Sequence, residues 1–365
     1  MKERIRTRWL LLAVLGLAIA GLLVIAGCGG STTTTPAAQP TATTAATNFD
    51  KIAGSMNDLL NNPANLNPIS STDLNKLLTS GNANNIPLVI DVRSATDYST
   101  ASSKSPGHIP SAINIPYKKI ADPASVSQIK AELAKHSDNT IVLHCYTGHT
   151  QSIALAILYG LAQEGQLGTP APKIEGLAWG MMGYNSVEKP PAYANTFPLV
   201  TTTTPAATTY SLPNVSGNLQ TQAEAAATNM PGRINVDASG QTINKKPLSS
   251  YTIVDIRSAD EFAKGHMEGA INLPYQDLFK KAGDTYPNLA KIDRSKQILV
   301  VGNRQYEEEA VAVGLNMLGI SQSNYNTGAL GFGIATWNNT VGDKFTSADK
   351  HTFPVVTGTA PGNAS

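Results

Sequence analysis

The stretch Leu88–Ala95 (LVIDVRSA) decides the fold, because it returns downstream as Thr252–Ala259 (TIVDIRSA). A second motif repeats in the same order: Gly107–Tyr117 (GHIPSAINIPY) returns as Gly265–Tyr275 (GHMEGAINLPY). A Thr-Phe-Pro-[Leu/Val]-Val-Thr segment also occurs twice, later in each half. Self-similarity on this scale indicates two copies of one structural unit. The sequence therefore predicts a duplicated domain.

Short apolar runs predict the secondary structure of that unit. The runs Leu88–Val92, Ile113–Ile115 and Ile141–Leu143 are continuous, as in strands buried on both faces of a parallel sheet. Helical apolar patterns occupy Leu74–Leu78, with residues 71–73 as its cap, and Ser152–Leu161. Strands that alternate with helices predict an α/β fold, in which each repeat is a mainly parallel sheet flanked by helices.

The N-terminal segment is predicted to be an export signal. Basic residues up to Arg8 precede an uncharged apolar run that ends in Ile25-Ala26-Gly27-Cys28. This order matches a bacterial lipoprotein signal, in which Cys28 is lipidated and becomes the new N-terminus. The alternative is an uncleaved membrane helix, because the 19 residues from Trp9 to Gly27 could just span a bilayer. Either interpretation places the rest of the chain outside the cytoplasm, held at the cell membrane.

Low-complexity sequence separates the predicted parts of the chain. The signal covers residues 1–27, and Cys28 with a Thr/Ala/Pro-rich tether covers residues 28–48. The first repeat, which contains a cysteine, is predicted at 49–200, and the second, which contains none, at 209–357. The linker at 201–208 repeats the heptapeptide TTTTPAA of the tether, and residues 358–365 are a tail.

Composition excludes one class of function. The formal net charge is +1 and only 15% of the residues are charged, which is unlike a strongly basic nucleic-acid binder. We therefore expect no nucleic-acid partner, and the sequence offers no motif for a cofactor or a metal.

One cysteine lies where a parallel sheet would bind its ligand. Cys145 directly follows the predicted strand Ile141–Leu143, in the segment HCYTGHTQS at residues 144–152. Ligands of parallel sheets gather at the carboxyl ends of the strands. Gly148 lets the loop curl, so that backbone N–H groups and a helix N-terminus face the sulfur. Both stabilise a thiolate, which makes Cys145 a candidate nucleophile.

These motifs together resemble the rhodanese, or sulfurtransferase, superfamily in both repeats. The resemblance is carried by Asp-x-Arg after a strand, Gly-His-[Ile/Met] followed by Ala-x-Asn-x-Pro, and the loop Cys-x-x-Gly-x-Thr. It implies that Cys145 is the catalytic residue, which takes a sulfane sulfur from a donor as a persulfide and passes it to a nucleophilic acceptor. The loop residues expected to contact the substrate are Tyr146, Thr147, Gly148, His149 and Thr150.

The loop sequence also separates related chemistries. Similar phosphatases and arsenate reductases carry an Arg six positions after the Cys, where it binds an oxyanion bidentately. That position here is Gln151, which disfavours a phosphatase. In the second repeat, alignment places Gly302 opposite Cys145, so we expect that repeat to be inactive. Its run Glu307–Glu309 is expected to repel an anionic donor.

The second repeat helps to sort the remaining polar residues. Asp91, Arg93 and His108 have counterparts in the inactive repeat, so we expect them to support the fold, by pairing with loop backbone or with nearby carboxylates such as Asp97. His149 has no histidine counterpart. Protonated, it could help to hold an anion, or it could simply face water. The loop contains no Arg or Lys, so the donor stays open.

Two function classes follow from this reading. The first is an exported, membrane-anchored sulfurtransferase that moves sulfur from thiosulfate, polysulfide or a persulfide to a thiol or cyanide through Cys145. The second is a non-catalytic persulfide carrier or docking module in extracytoplasmic sulfur metabolism. A basic residue near Cys145 in the folded protein would favour the first. In both cases the expected partners are a small sulfur-containing substrate and, through the lipid, the membrane.

Overall fold

Two four-stranded parallel sheets organise the computed structural model, which describes residues 46–82, 85–101, 107–185, 193–202, 208–237, 242–320 and 327–360. The first sheet has the spatial order β2-β1-β3-β4 and consists of β1 (Leu88–Asp91), β2 (Ile113–Asn114), β3 (Thr140–His144) and β4 (Lys173–Gly176). The central strands β1 and β3 are buried, as their continuous apolar runs predict. The prediction is wrong for β2, which is half-buried because it lies at the edge of the sheet, and β4 at the other edge begins with the exposed Lys173.

The second sheet repeats this arrangement. Its order is β6-β5-β7-β8, with β5 (Tyr251–Asp255), β6 (Ile271–Asn272), β7 (Gln297–Val301) and β8 (Thr327–Ala329). Every strand pair in both sheets is parallel. The predicted α/β fold with one parallel sheet per repeat is therefore confirmed, and the strand ends differ from the prediction by a single residue.

Helices flank both sheets. Among the described residues they are α1 (Asn48–Asn61), α2 (Pro63–Leu66), α3 (Ser71–Thr79), α4 (Ala95–Ser99), α5 (Pro123–Leu133), α6 (His149–Gln163), α7 (Gly180–Tyr184), α8 (Leu219–Asn229), α9 (Ala259–Lys264), α10 (Tyr275–Leu278) and α11 (Gln305–Met317). The predicted helix at 74–78 is longer, because its cap is Ser70, whose Oγ accepts from Asp73 N at 3.0 Å. The predicted helix at 152–161 begins three residues earlier, directly after Gly148.

One hydrophobic core extends across both repeats, and each repeat has a smaller cluster besides. Helices α6 and α11 pack against each other, and both are buried along almost their whole length. After Ser152 in α6 and after Glu309 in α11 the residues are mainly apolar on all sides, as expected for helices in the centre of a large core. Gly314 of α11 allows a close approach, because a Cβ there would lie 2.7 Å from Phe279 and 2.8 Å from Met56 of α1. The interface between the repeats is therefore core, not surface.

The N-terminal helix of each repeat packs on the other repeat. Helix α1 contacts the second repeat, where Asp50 binds Lys281 at 2.7 Å and Tyr286 at 2.8 Å. Helix α8 contacts the first repeat, and Gln220 Nε2 donates to Ala121 O at 2.6 Å. The exchange is reciprocal, so neither repeat keeps all of its own core.

The Thr-Phe-Pro segments are exchanged in the same way. In the first repeat, Val200 of this segment pairs with His266 of the second repeat. In the second repeat it ends near Val356, whose N–H donates to His108 O at 2.9 Å. The boundaries predicted at 200 and 209 remain a prediction, but each repeat is closed by a segment of the other.

The segment that is predicted to anchor the chain lies outside the described residues. No helix within the residues described above is long and apolar enough to cross a bilayer. The predicted signal, Cys28, most of the tether and parts of the linker and tail lie outside the described residues. Export, lipidation and the membrane helix alternative therefore stay predictions.

Candidate active site

Cys145 lies directly after β3, at the carboxyl edge of the first sheet. Gly148 has a positive φ of 105°, and its N–H donates to Cys145 Sγ at 3.1 Å. Helix α6 begins at the next residue, so the sulfur faces the positive end of a helix dipole. A backbone donor and a helix N-terminus both stabilise negative charge on sulfur. We call residues 145–150 the cysteine loop.

Gln151 holds this loop from the protein interior. Cys145 N donates to Gln151 Oε1 at 3.1 Å, and Gln151 Nε2 donates to Leu177 O at 2.6 Å. The side chain at the position of the phosphatase arginine is thus a buried amide that supports the backbone. Gly180 closes the loop from the other side, because a Cβ there would lie 2.5 Å from Cys145 O.

Asp91 and Arg93 form a buried ion pair behind the loop. Arg93 Nη2 binds Asp91 Oδ2 at 2.5 Å and donates to Gly107 O at 2.8 Å. The predicted loop-backbone contact is present, whereas Asp97 instead accepts from Ser94 at the start of α4. The guanidinium carbon also lies 5.0 Å from the centre of the Tyr146 ring. The pair therefore supports the cysteine loop through Tyr146.

His144, between β3 and Cys145, has a buried neutral imidazole. Burial lowers the pKa of His144 to about 4, although the nearby Asp91 opposes this shift. Burial also raises the pKa of Asp91, but His144 and Arg93 outweigh it, so the Asp91 pKa lies below its usual range. His144 Nε2 is 3.7 Å from Asp91 Oδ2. The sequence drew no attention to this residue.

His108 packs against Tyr98 of α4 and not against the cysteine loop. Its Nδ1 is 2.8 Å from Tyr98 O, and its ring stacks on Tyr98 with centroids 3.6 Å apart. His266 repeats both contacts with Phe262 in the second repeat. This placement supports the predicted structural role of His108, Asp91 and Arg93.

The second repeat covers the cysteine loop. Its corresponding segment, residues 302–306, is called the counterpart loop. Gln305 Nε2 donates to Thr147 O, and the Tyr306 hydroxyl accepts from Trp179 N at 2.6 Å. Burial raises the pKa of Tyr306, so this hydroxyl is neutral. Cys145 is consequently only 2% exposed, and the site is a joint product of both repeats.

A basic residue reaches the cysteine loop from the second repeat. Arg233, between α8 and β5, donates through Nη2 to Thr147 Oγ1 and lies 3.4 Å from Gln305 Oε1. Its guanidinium also stacks over Phe332, 4.2 Å from the ring centre. The side chain is half-buried. Sequence reasoning missed Arg233 because it lies 86 residues from Thr147 and outside every motif.

The remaining loop residues have different surroundings. Tyr146 O accepts from Met182 N at 2.7 Å, and Thr150 lies half-buried in the first turn of α6. His149 is buried, and its Nδ1 contacts the carboxylate of Glu309 in the second repeat. It therefore faces the other repeat, which was neither of the two expectations for this residue.

The three consecutive glutamates do not form an acidic surface. Glu307, Glu308 and Glu309 are 6%, 0% and 1% exposed. Glu307 binds Arg304, Glu308 accepts from Gly302 N, and Glu309 contacts His149. The expected repulsion of an anionic donor needs exposed charges, so the buried glutamates do not provide it. Within the described part of the chain, no group of three or more His, Cys, Asp or Glu residues could hold a metal ion.

A thiol in a strand–loop–helix turn, at the edge of a duplicated parallel sheet, defines a recognisable class of site. The model of the rhodanese-like domain matches residues 70–185 and 240–335, which together are more than half of the chain. The chain belongs to the rhodanese-like domain family. No curated protein gives a significant match.

Several solved structures are distantly similar. A thiosulfate sulfurtransferase from Pseudomonas aeruginosa is 14% identical over 86% of this chain and 49% of its own, with a TM-score of 0.25. A rhodanese-related protein from Thermoplasma volcanium is 22% identical over 30% of this chain and 93% of its own, with a TM-score of 0.22. The chain thus spans about half the length of the Pseudomonas protein structure. Similarity this remote carries no information on the substrate.

Proposed function

We propose that this chain is an exported, membrane-anchored sulfurtransferase that works through a Cys145 persulfide. The observation that carries the proposal is the contact of 3.1 Å between the Gly148 N–H and Cys145 Sγ, at the N-terminus of α6. An activated thiolate in such a loop is a nucleophile that can form a covalent intermediate. Membership of the rhodanese-like domain family supports sulfane sulfur as the group that it transfers.

The proposed reaction has two steps. The Cys145 thiolate attacks the sulfane sulfur of a donor such as thiosulfate, the S–S bond breaks, and sulfite leaves with the electron pair. A thiol or cyanide then attacks the outer sulfur of the persulfide, and Cys145 leaves as a thiolate. No external oxidant is needed, because the sulfane sulfur keeps its oxidation state in both transfers.

Arg233 favours the enzyme over the non-catalytic alternative. The cysteine loop itself has no Arg or Lys, but the second repeat places a guanidinium on Thr147. A guanidinium presents forked donors that suit an oxyanion such as the sulfonate end of thiosulfate. We propose Arg233 as the residue that recognises an anionic donor, with polysulfide and organic persulfides as the other donor classes.

The burial of the thiol favours the second candidate, a persulfide carrier. Cys145 is covered by Gln305 and Tyr306, and a covered persulfide is protected from unspecific acceptors. A carrier would load once and release its sulfur only to a docked partner, whereas an enzyme turns over with small molecules.

Turnover assays separate these candidates. Thiosulfate, polysulfide and an organic persulfide are offered as donors, with cyanide or a small thiol as acceptor. An enzyme releases many equivalents of product per Cys145, and a carrier releases at most one. Cys145→Ser should abolish release in both cases. Activity that persists in this variant would place the chemistry at another residue.

Anchoring is a separate part of the proposal. The motif Ile25-Ala26-Gly27-Cys28 and the tether behind it support a mature chain that begins at lipidated Cys28. Cys28→Ser should remain unprocessed. Cleavage and release of this variant like the wild type would contradict the lipoprotein interpretation.

A further inference from the structure

Tyr306 of the second repeat lies beside the cysteine loop. A Cβ on Gly148 would lie 3.4 Å from the hydroxyl oxygen of Tyr306 and 3.2 Å from its ring carbon Cε1. The N–H of the same glycine donates to Cys145 Sγ at 3.1 Å. The phenol hydroxyl therefore adjoins the residue that holds the sulfur.

Two contacts hold Tyr306 in this position. Trp179 N donates to its hydroxyl oxygen at 2.6 Å. Gln305, one residue earlier in α11, donates through Nε2 to Thr147 O in the cysteine loop. Tyr306 is only 6% exposed. The phenol is therefore a fixed part of the wall that covers the cysteine loop.

The hydroxyl proton of Tyr306 has no acceptor within the described residues, where the hydroxyl oxygen only accepts from Trp179 N. Buried tyrosine hydroxyls usually have a hydrogen-bond partner for each of their groups, so a free O–H in this place is unusual. Burial raises the pKa of Tyr306, the Trp179 N–H opposes this shift, and negative charge on Cys145 adds to it. The proton consequently stays on the oxygen, ready to be donated.

A persulfide on Cys145 would supply the acceptor that this hydroxyl lacks. The outer sulfur of a persulfide lies about 2 Å beyond Sγ and carries the negative charge when the persulfide is ionised. Sγ itself already accepts from the Gly148 N–H, so the outer sulfur needs a donor of its own. A neutral phenol in the wall above the loop is such a donor.

We propose that the Tyr306 hydroxyl donates a hydrogen bond to the outer sulfur of the Cys145 persulfide. Tyr306 is then a catalytic residue that the inactive repeat supplies, an inference that rests on the sulfur chemistry proposed for Cys145. The hydrogen bond stabilises the ionised persulfide, which is the loaded state of the site. The second repeat thereby contributes to the chemistry as well as to the fold.

The pKa of the persulfide reports this hydrogen bond. A donor that bonds to the charged form favours that form and lowers its pKa. Tyr306→Phe keeps the ring and removes the donor, so it should raise the persulfide pKa by about one to two units. Alkylation of the unloaded Cys145 thiol by iodoacetamide should change little, because Gly148 holds Sγ. A displaced loop would change both readouts.

Chemical loading keeps the measurement independent of turnover. In the full-length protein Cys145 is first converted to a methyl disulfide. Hydrosulfide then attacks Sγ, methanethiolate leaves with the electron pair, and Cys145 is left as the persulfide. The pKa is taken from the pH dependence of the perthiolate absorbance, with Cys145→Ser as the blank. A wild type that loads in this way but transfers no sulfur in turnover assays would refute the proposed function alone, whereas a wild type that retains no persulfide would overturn both.

Two further proteins make the test specific. Tyr286→Phe is the matched control, because the Tyr286 hydroxyl also joins the repeats but binds Asp50 of α1, at 2.8 Å. It should leave the persulfide pKa unchanged. 3-Fluorotyrosine at position 306 is a stronger donor of nearly the same size and should lower this pKa, so the test survives if Tyr306→Phe does not fold.

Three results would overturn the assignment. They are an unchanged persulfide pKa in Tyr306→Phe, a shift of the same size in Tyr286→Phe, and a shift in Tyr306→Phe that comes with a large change in the alkylation rate of the unloaded thiol. The last result would mean that Tyr306 only holds the cysteine loop in place.

Discussion

Arg233, which we propose to recognise an anionic donor, offers a direct test of donor choice. Arg233 donates to Thr147 in the cysteine loop and is half-buried, so its charge is only partly screened. Hydrogen bonds to charged groups contribute about 1.5–3 kcal/mol, which corresponds to roughly 10- to 100-fold in a rate or binding constant. Arg233→Ala should therefore lower kcat/KM for thiosulfate by about that factor.

The assay uses two donors to separate charge from structure. A neutral organic trisulfide has no oxyanion, so Arg233→Ala should change its kcat/KM little. Arg233→Lys keeps the positive charge but loses the forked donors of the guanidinium, so its kcat/KM for thiosulfate should lie between those of the wild type and Arg233→Ala. Lys246→Ala removes an exposed cation of the same repeat and serves as the control. An equal loss with both donors would mean that Arg233 only holds the loop, and no loss with thiosulfate would refute its role in recognition.

Further predictions follow from burial and backbone geometry. Burial holds the His144 imidazole neutral, with a pKa of about 4 against 6.5 in the unfolded chain. Its contribution of about 3 kcal/mol to the free energy of unfolding is therefore present above pH 6.5 and is lost as the pH falls to 4, which denaturant titrations at different pH values should show. The same pH dependence of stability in His144→Gln as in the wild type would contradict this. Gly180→Ala should lower the free energy of unfolding by about 3 kcal/mol or more, because Gly180 has a φ of +55° and a Cβ there would clash with Cys145 O. Gly165→Ala, at φ +75° with open space around it, should lower the free energy of unfolding by only about 1 kcal/mol. Denaturant titrations of both variants measure the difference, and equal losses of stability would refute the steric argument. Deletion of Thr209–Ser365 should prevent folding, since α6 would lose α11; a cooperative melt by circular dichroism in the truncation would show otherwise.

The duplication made much of the fold predictable. Continuous apolar runs such as Ile141–Leu143 are typical of strands in the interior of a parallel sheet, and the pattern therefore predicts these strands. Cys145 was found for the same reason, because it directly follows such a strand. The capping motifs gave helix starts to within a few residues.

Contacts between the repeats were beyond the sequence patterns. Neither the hydrophobic periodicity nor any sequence motif shows that α1 packs on the second repeat or that Arg233 reaches Thr147. These contacts join distant parts of the chain. The prediction that the glutamates at 307–309 repel an anionic donor is wrong for a related reason. A charged run usually faces water, and only the packing of α11 against α6 shows that these side chains are buried.

The central claim is that Cys145 carries the transferred sulfur. The most direct measurement is intact-mass analysis of the full-length protein after exposure to thiosulfate, polysulfide or an organic persulfide. The account predicts a gain of about 32 Da, one sulfur atom, that maps to Cys145, disappears on addition of cyanide and is absent in Cys145→Ser. An unchanged mass with all three donors, or the same gain in Cys145→Ser, would contradict it.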